Sequence, residues 1–274
     1  MFFAFDPYNL LATALFTVLL QATFFTLATI FKTDKFTDIT YSVNFVLLAL
    51  GLWFVADGVS GVDRAFLLAA IIVVWGLRLG SYLLTRILKI KKDDRFDDMR
   101  EGFVSFLKFW IFQALVVWVA MLPATLAISV PESLQPALGW LDYLGLGLWL
   151  FGFIVETVAD HQKYVFKNDP ANRGEWIQSG LWKYSRHPNY FGETLVWWGV
   201  YLIAIPALLA TGTAAYWLLP LAALGPICIT WILLSVSGIP LLEEKADKRY
   251  GERADYQDYK RKTNVFFMWF PSSS

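Results

Sequence analysis

The chain is poor in the side chains from which many reactive sites are built. It has one cysteine, Cys228, and two histidines, His161 and His187, among 274 residues. A single cysteine excludes an intrachain disulfide. Neither histidine has a cysteine nearby, so no zinc-ligand spacing is present and no metal site is expected. No G-x-G-x-x-G and no G-x-x-x-x-G-K-[ST] occurs, which removes the Rossmann turn and the P-loop as phosphate cradles. Charge is scarce too. Asp, Glu, Lys and Arg make up 17% of the chain, where a soluble domain carries about 25%. The 23 basic and 23 acidic side chains cancel, so the basic excess of a nucleic-acid-binding protein is missing. No tandem repeat is visible, and no low-complexity segment beyond Ser272–Ser274, so we read a single domain, 1–274.

What the chain has instead is apolar. Hydrophobic residues reach 57% and aromatics 18%, with 13 Trp and 12 Tyr. The apolar residues lie in blocks of about 20, the length that spans a bilayer. Lipid offers the backbone no hydrogen bonds, so such blocks must be helices. Trp and Tyr suit the two membrane interfaces. The expected fold is an all-α integral membrane protein with seven spans, roughly 7–31, 39–56, 65–88, 103–130, 138–158, 190–210 and 213–237, and a polar tail over 241–274. The start lacks the positive n-region of a signal peptide, so the first span is read as part of the mature protein. Lys and Arg are many in the first, third and fifth loops and the tail, and few in the others. That alternation predicts an outside N-terminus and a cytosolic tail.

The polar residues fall into patterns. Glu156, Asp160, Lys163 and Lys167 recur at i, i+4, i+7 and i+11, one helical stripe. A carboxylate at the depth of Glu156 costs at least about 2.5 kcal/mol unless it faces a cavity or a partner. Pro188 biases His187 away from helix, so a helix is expected to start there. Free N–H groups at such a start attract phosphate, and Arg186 adds a planar fork. Asn189, Glu193 and Trp197 then line one face, while Gly192 and Gly199 permit close approach. In the third span Arg78, Tyr82 and Arg86 repeat every fourth residue, and an intramembrane arginine reads as functional; Arg86 alone is explained by snorkelling. The second span opens with Asp38 and Tyr41, and Asp38 also suits a helix cap. The charged third loop reads as a solvated loop, with Lys89 or Arg95 as alternative phosphate contacts. Phe266, Phe267, Trp269 and Phe270 predict that the tail docks back over the fifth loop as a lid.

Gly180-Leu181-Trp182, then Tyr184-Ser185-Arg186-His187-Pro188-Asn189-Tyr190-Phe191-Gly192-Glu193, Trp197, Leu242-Glu243-Glu244, Arg249-Tyr250-Gly251 and Tyr256-Gln257-Asp258-Tyr259 together resemble the steroid 5α-reductase superfamily, and most closely its bacterial DUF1295 branch. The resemblance covers roughly Glu156 to Pro271 and extends weakly back through Trp75 to Tyr82. It implies a seven-helix reductase that holds NADPH, located in the bacterial inner membrane. Carried over by position, Arg78 and Tyr82 match cofactor contacts, Glu156 stands where the steroid enzymes have Asn, Asp160 matches their Asp, and Lys167 stands at a basic cofactor position. Asn189, Glu193 and Trp197 match the face that meets ribose and nicotinamide, with Arg186, His187 and Tyr190 at its entrance. Arg249 and Tyr256 match the phosphate-binding tail loosely. The Glu–Tyr pair that holds a steroid carbonyl is not present as such. Its span-3 position is Trp75, and its span-2 position falls near Tyr41.

The implied reaction is hydride transfer to a C=C bond conjugated to a carbonyl, in a lipophilic steroid- or isoprenoid-like substrate that enters from the bilayer. Tyr41 and Asp38 are the candidate proton donors. The alternative is an S-adenosylmethionine-dependent methyltransferase, because isoprenylcysteine methyltransferases carry a similar Arg-His-Pro-x-Tyr-x-Gly entrance and acidic tail. A non-enzymatic lipid carrier would leave the aligned polar faces without partners.

Overall fold

The computed structural model describes residues 4–31, 33, 35–56, 63–90 and 102–271, the side chains of 35 and 88–90 excepted. The third-loop segment with Arg95, and the side chain of Lys89, lie outside the described residues. Within them there is no strand. The helices are α1 (Leu10–Ile30), α2 (Lys35–Val55), α3 (Arg64–Ile90), α4 (Phe103–Ser129), α5 (Trp140–Asn168), α6 (Pro188–Leu209), α7 (Ala215–Trp231), α8 (Ile239–Tyr250) and α9 (Ala254–Lys262). A π-helical turn, Ile232–Val236, follows α7.

Among the described residues seven stretches are long and apolar enough to cross a membrane, as expected. Six coincide with α1 to α6, and the seventh runs over Gly212–Tyr250. Only its first part is apolar. α8 carries Glu243, Glu244, Lys245, Asp247, Lys248 and Arg249, so we read the seventh span as ending at Val236.

The largest departure from the sequence-based boundaries is α5. A span over 138–158 was expected, but the helix continues to Asn168. No glycine or proline interrupts Phe153–Asn168. The stop comes from Pro170, which lacks an N–H and biases the residue before it towards an extended backbone. Asp169 is extended, and its Oδ1 accepts from Ala171 N at 2.9 Å. The Glu156–Lys167 stripe therefore stands on one unbroken helix. α6 begins at Pro188, where a fixed φ and a missing donor suit the first helical position.

The chain forms two compact units. The first is Met1–Tyr143 with Val200–Gly225, the second Leu144–Gly199 with Pro226–Ser274. In the first, α2 packs on α3 and α1 on α4. Tyr41, Phe45 and Trp75 form a chain of edge-to-face rings, with centroids 5.0 and 5.3 Å apart. Arg64, at the head of α3, is fully buried against Asp142. Its Nε and Nη2 donate to the two carboxylate oxygens at 2.7 and 2.9 Å, and its Nη1 donates to Gln135 Oε1 at 3.0 Å. A buried pair of this kind is costly to desolvate and tolerable only when its hydrogen bonds are complete.

Candidate functional site

The site is built in the second unit, on the seam between α5 and α6. A Cβ added to Gly192 would lie 2.6 Å from Gly152 O and 2.6 Å from Glu156 N; one added to Gly152 would lie 2.6 Å from Gly192 O. Side chains at these positions cannot be accommodated without moving backbone. Gly199 meets Gly145 O and Trp149 N in the same way, at 2.7 and 2.8 Å. Glycine at these points lets the two backbones touch, as TM helices do at small residues. The result is that the polar stripe of α5 meets the polar face of α6. Asn189 Nδ2 donates to Asp160 Oδ1 at 3.2 Å, and Glu156, Asp160 and Trp197 are all buried.

The segment before α6 is held from both sides. Gly180 adopts φ 61°, and a Cβ there would strike the Gln162 side chain; that amide instead accepts from Leu181 N at 2.9 Å. Trp182 Nε1 donates to Ala159 O at 3.1 Å, and Lys163 Nζ stands 4.7 Å over its ring. From the other side comes the tail. Arg186 N donates to Asn264 O at 2.8 Å, Ser185 Oγ to Phe266 O at 2.8 Å, Trp269 N to Tyr184 O at 3.0 Å and Tyr259 OH to Trp182 O at 2.8 Å. The expected return of the tail onto this loop is what the structure contains. Of the four aromatics at its end, Phe266 is buried, while Phe267, Trp269 and Phe270 are exposed.

Glu243 of α8 is the hub. Its Oε1 faces His187 Nε2 at 2.8 Å, and its Oε2 lies 2.7 Å from Arg186 Nη1 and 3.4 Å from Lys260 Nζ. Burial is the largest influence on His187 and, with Lys163 and Arg186 nearby, holds its pKa below the usual value against the opposing pull of Glu243. The imidazole is therefore neutral at neutral pH. Its proton sits on Nε2, facing the carboxylate, and Nδ1 keeps a bare lone pair that has no partner among the described residues. Glu243 itself is desolvated, which alone would raise its pKa. The His187 bond, Arg186 and Lys260 outweigh this and keep the carboxyl below its ordinary value. Asn189 Oδ1 and Arg186 Nε also have no hydrogen-bond partner among the described residues. The site thus presents two open acceptors and one open donor within four residues.

The other sequence-predicted residues divide between the units. Tyr190 stacks on His187, ring centroids 5.8 Å apart. Glu193 and Trp197 follow Asn189 on the same face of α6. Lys167 ends the α5 stripe and is exposed. Tyr256 is buried among Trp176, Tyr250 and Tyr259, and burial with the nearby Glu243 and Asp247 pushes its phenol up to about 12. Arg249 is exposed, 5.2 Å over the Tyr250 ring, and no bond joins it to the Glu243 cluster. In the first unit, Arg78 and Tyr82 lie on α3. Asp38 forms an ion pair with Arg86 at 2.7 Å, which links α2 to α3. Sequence reasoning did not assign Glu243, Ser185 or Gln162. The signal for Glu243 was present: an acidic pair opens the tail while Arg186 lacks a nearby counter-charge in sequence.

The chain is similar to an uncharacterized protein, C594.04c, of the fission yeast Schizosaccharomyces pombe, at 31% identity over 110 residues, 34% of this chain and 31% of that protein. It is also similar to the probable O-methyltransferase ustE of Ustilaginoidea virens, at 38% identity over 55 residues, 19% of each chain. The chain thus matches about a third and about a fifth of these relatives' lengths. No solved structure matches it. A family model described as "Protein of unknown function (DUF1295)" matches residues 24–263, nearly the whole chain with both units and the Glu243 cluster, and the protein belongs to that family.

Proposed function

We propose that the protein is a membrane-embedded reductase that binds NADPH at the Pro188 end of α6 and reduces a C=C bond conjugated to a carbonyl in a lipophilic substrate. The observation that carries this reading is the meeting of the α5 and α6 polar faces at Asp160–Asn189, beside the Arg186–His187–Glu243 cluster. The open valences fit a dinucleotide. Asn189 Oδ1 and His187 Nδ1 can accept from ribose or carboxamide donors, and Arg186 at a helix start can meet phosphate oxygens. Asp160 and Glu193 suit ribose hydroxyls, and the flat Trp197 ring a nicotinamide. The resemblance to the steroid 5α-reductase superfamily assigns the same positions to NADPH.

When bound, NADPH supplies the hydride. The chain's own residues hold and orient the cofactor and exclude water, and a proton donor completes the reduction. Tyr41 and Asp38 are the donor candidates that the sequence offers; Asp38 pairs with Arg86. The distribution of Lys and Arg supports a cytosolic Pro188 end of α6, and with it cofactor entry from the cytosol.

A second reading, an S-adenosylmethionine-dependent methyltransferase, is favoured by the similarity to the probable O-methyltransferase. Thermal-shift measurement on the purified protein separates the two. A ligand at 100 times its dissociation constant stabilises by about 2.7 kcal/mol. NADPH is expected to raise the melting temperature more than NADH, and S-adenosylmethionine not to; the reverse order rejects the reductase. N189A and E193A should weaken the NADPH response with the fold retained.

A further inference from the structure

In the first unit, α1 and α4 pack around a groove of about 440 Å³ that the proposed reaction does not use. Its walls are apolar, Phe25, Ala114 and Trp118 among them, and no charged side chain lines it. The groove opens to the face that would meet hydrocarbon, where Val18, Ile111 and Leu115 are exposed. Its volume lies within the 300–1,000 Å³ typical of small-molecule sites.

Four side chains with polar atoms line this apolar space, and three of them lack partners among the described residues. Thr17, Gln21 and Trp110 are each at least 98% buried. Thr17 Oγ1, both polar atoms of Gln21 and Trp110 Nε1 have no hydrogen-bond partner among the described residues. Trp118, in the same wall, differs: its Nε1 donates to Leu10 O at 3.1 Å. Gln21 lies near the middle of α1, about 15 Å from either end at 1.5 Å per residue. At that depth no bulk water compensates an unpaired donor, and each such group is costly.

We propose that the groove binds a neutral lipid-soluble molecule with a ketone-type carbonyl on an apolar body, held at mid-bilayer depth by Gln21, Thr17 and Trp110. The donors decide the chemistry. An indole N–H can only donate, and the Gln21 amide offers two further hydrogens. One carbonyl oxygen, with two lone pairs, can accept from both at once. A charged head group is excluded by the uncharged lining, and a phospholipid ester by depth, since it resides at the interface. The proposal rests on the α1–α4 groove alone and does not depend on the cofactor reading.

The test uses the full chain in lipid nanodiscs with a photoactivatable long-chain methyl ketone, and the corresponding alcohol and alkane of equal length. Labelled peptides are mapped by mass spectrometry. The ketone is expected to label α1 and α4 saturably, in competition with unlabelled ketone and not with alkane. Q21L and W110F should each weaken apparent ketone binding about tenfold, a loss of about 1.4 kcal/mol. Q21L should not lower the melting temperature, because it removes an unpaired polar group from the bilayer. Equal labelling by ketone and alkane, tighter binding of the alcohol, wild-type labelling of both variants, or a groove covered by a second copy of the chain would each overturn the proposal.

Discussion

Replacing Gly192 by Ala tests the seam on which the site is built. The added Cβ would lie 2.6 Å from Gly152 O and 2.6 Å from Glu156 N. Real Cβ contacts essentially never fall below 3.0 Å, and the obstacles here are backbone atoms, so α5 and α6 must part by about 0.4 Å or more. The Asn189–Asp160 bond starts at 3.2 Å. Adding that separation takes it to about 3.6 Å, where it is no longer a hydrogen bond. Overpacking costs about 1–3 kcal/mol, and the lost bond to a buried carboxylate about 1.5–3 kcal/mol more. We expect a combined loss of about 3 kcal/mol, visible as a lower melting temperature in detergent. NADPH titration should show weakening beyond what stability explains, because Asn189 and Asp160 no longer meet. G152A meets the same backbone from the other helix and should behave alike. If both variants melt and bind as the wild type does, the helices do not touch there and the construction of the site is wrong.

Glu243→Gln removes the charge that compensates Arg186 and Lys260 and orients His187. Since the site is partly exposed, we expect about 1–3 kcal/mol of destabilisation, less than the roughly 3–5 kcal/mol that breaking a fully buried pair costs, with the loss read from denaturation midpoints; an unchanged midpoint would refute the hub. The His187 pKa is depressed in the folded protein, so the unfolded chain binds the proton more readily and stability must rise with pH through that range. His187 therefore costs no stability above its ordinary value of 6.5 and destabilises progressively as pH falls below it. Melting temperatures between pH 7 and pH 5.5 should drop more in the wild type than in His187→Gln; parallel curves would show that the imidazole is not neutral and buried. Arg173→Ala, at an exposed position outside the cluster, should leave NADPH binding within about twofold, and a large loss there would place the phosphates elsewhere.

Seven apolar blocks, the helix start at Pro188, the stripe from Glu156 to Lys167 and the docking of the tail were all legible from the chain alone. Their causes are local. Block length against bilayer thickness, the missing N–H of proline and the 3.6-residue period act within a few turns of helix. The fifth span was expected to end at 158 because hydropathy falls there, while the helical backbone, as the Glu156–Lys167 stripe implied, continues to Asn168: apolarity reports where lipid ends, not where the helix ends.

Tertiary packing decided which charges found each other. Asp38 and Arg86 each had a local explanation, a cap and a snorkelling arginine, and instead pair across two helices. Glu243 lies 56 residues from His187 in sequence, beyond any periodicity that could join them, and only the return of α8 brings its carboxylate to the neutral imidazole. The orphaned Gln21 was equally invisible, because a single glutamine in an apolar run carries no pattern. What a polar side chain does in a membrane depends on whether its neighbours complete its hydrogen bonds, and the identity of those neighbours is settled only when distant helices meet.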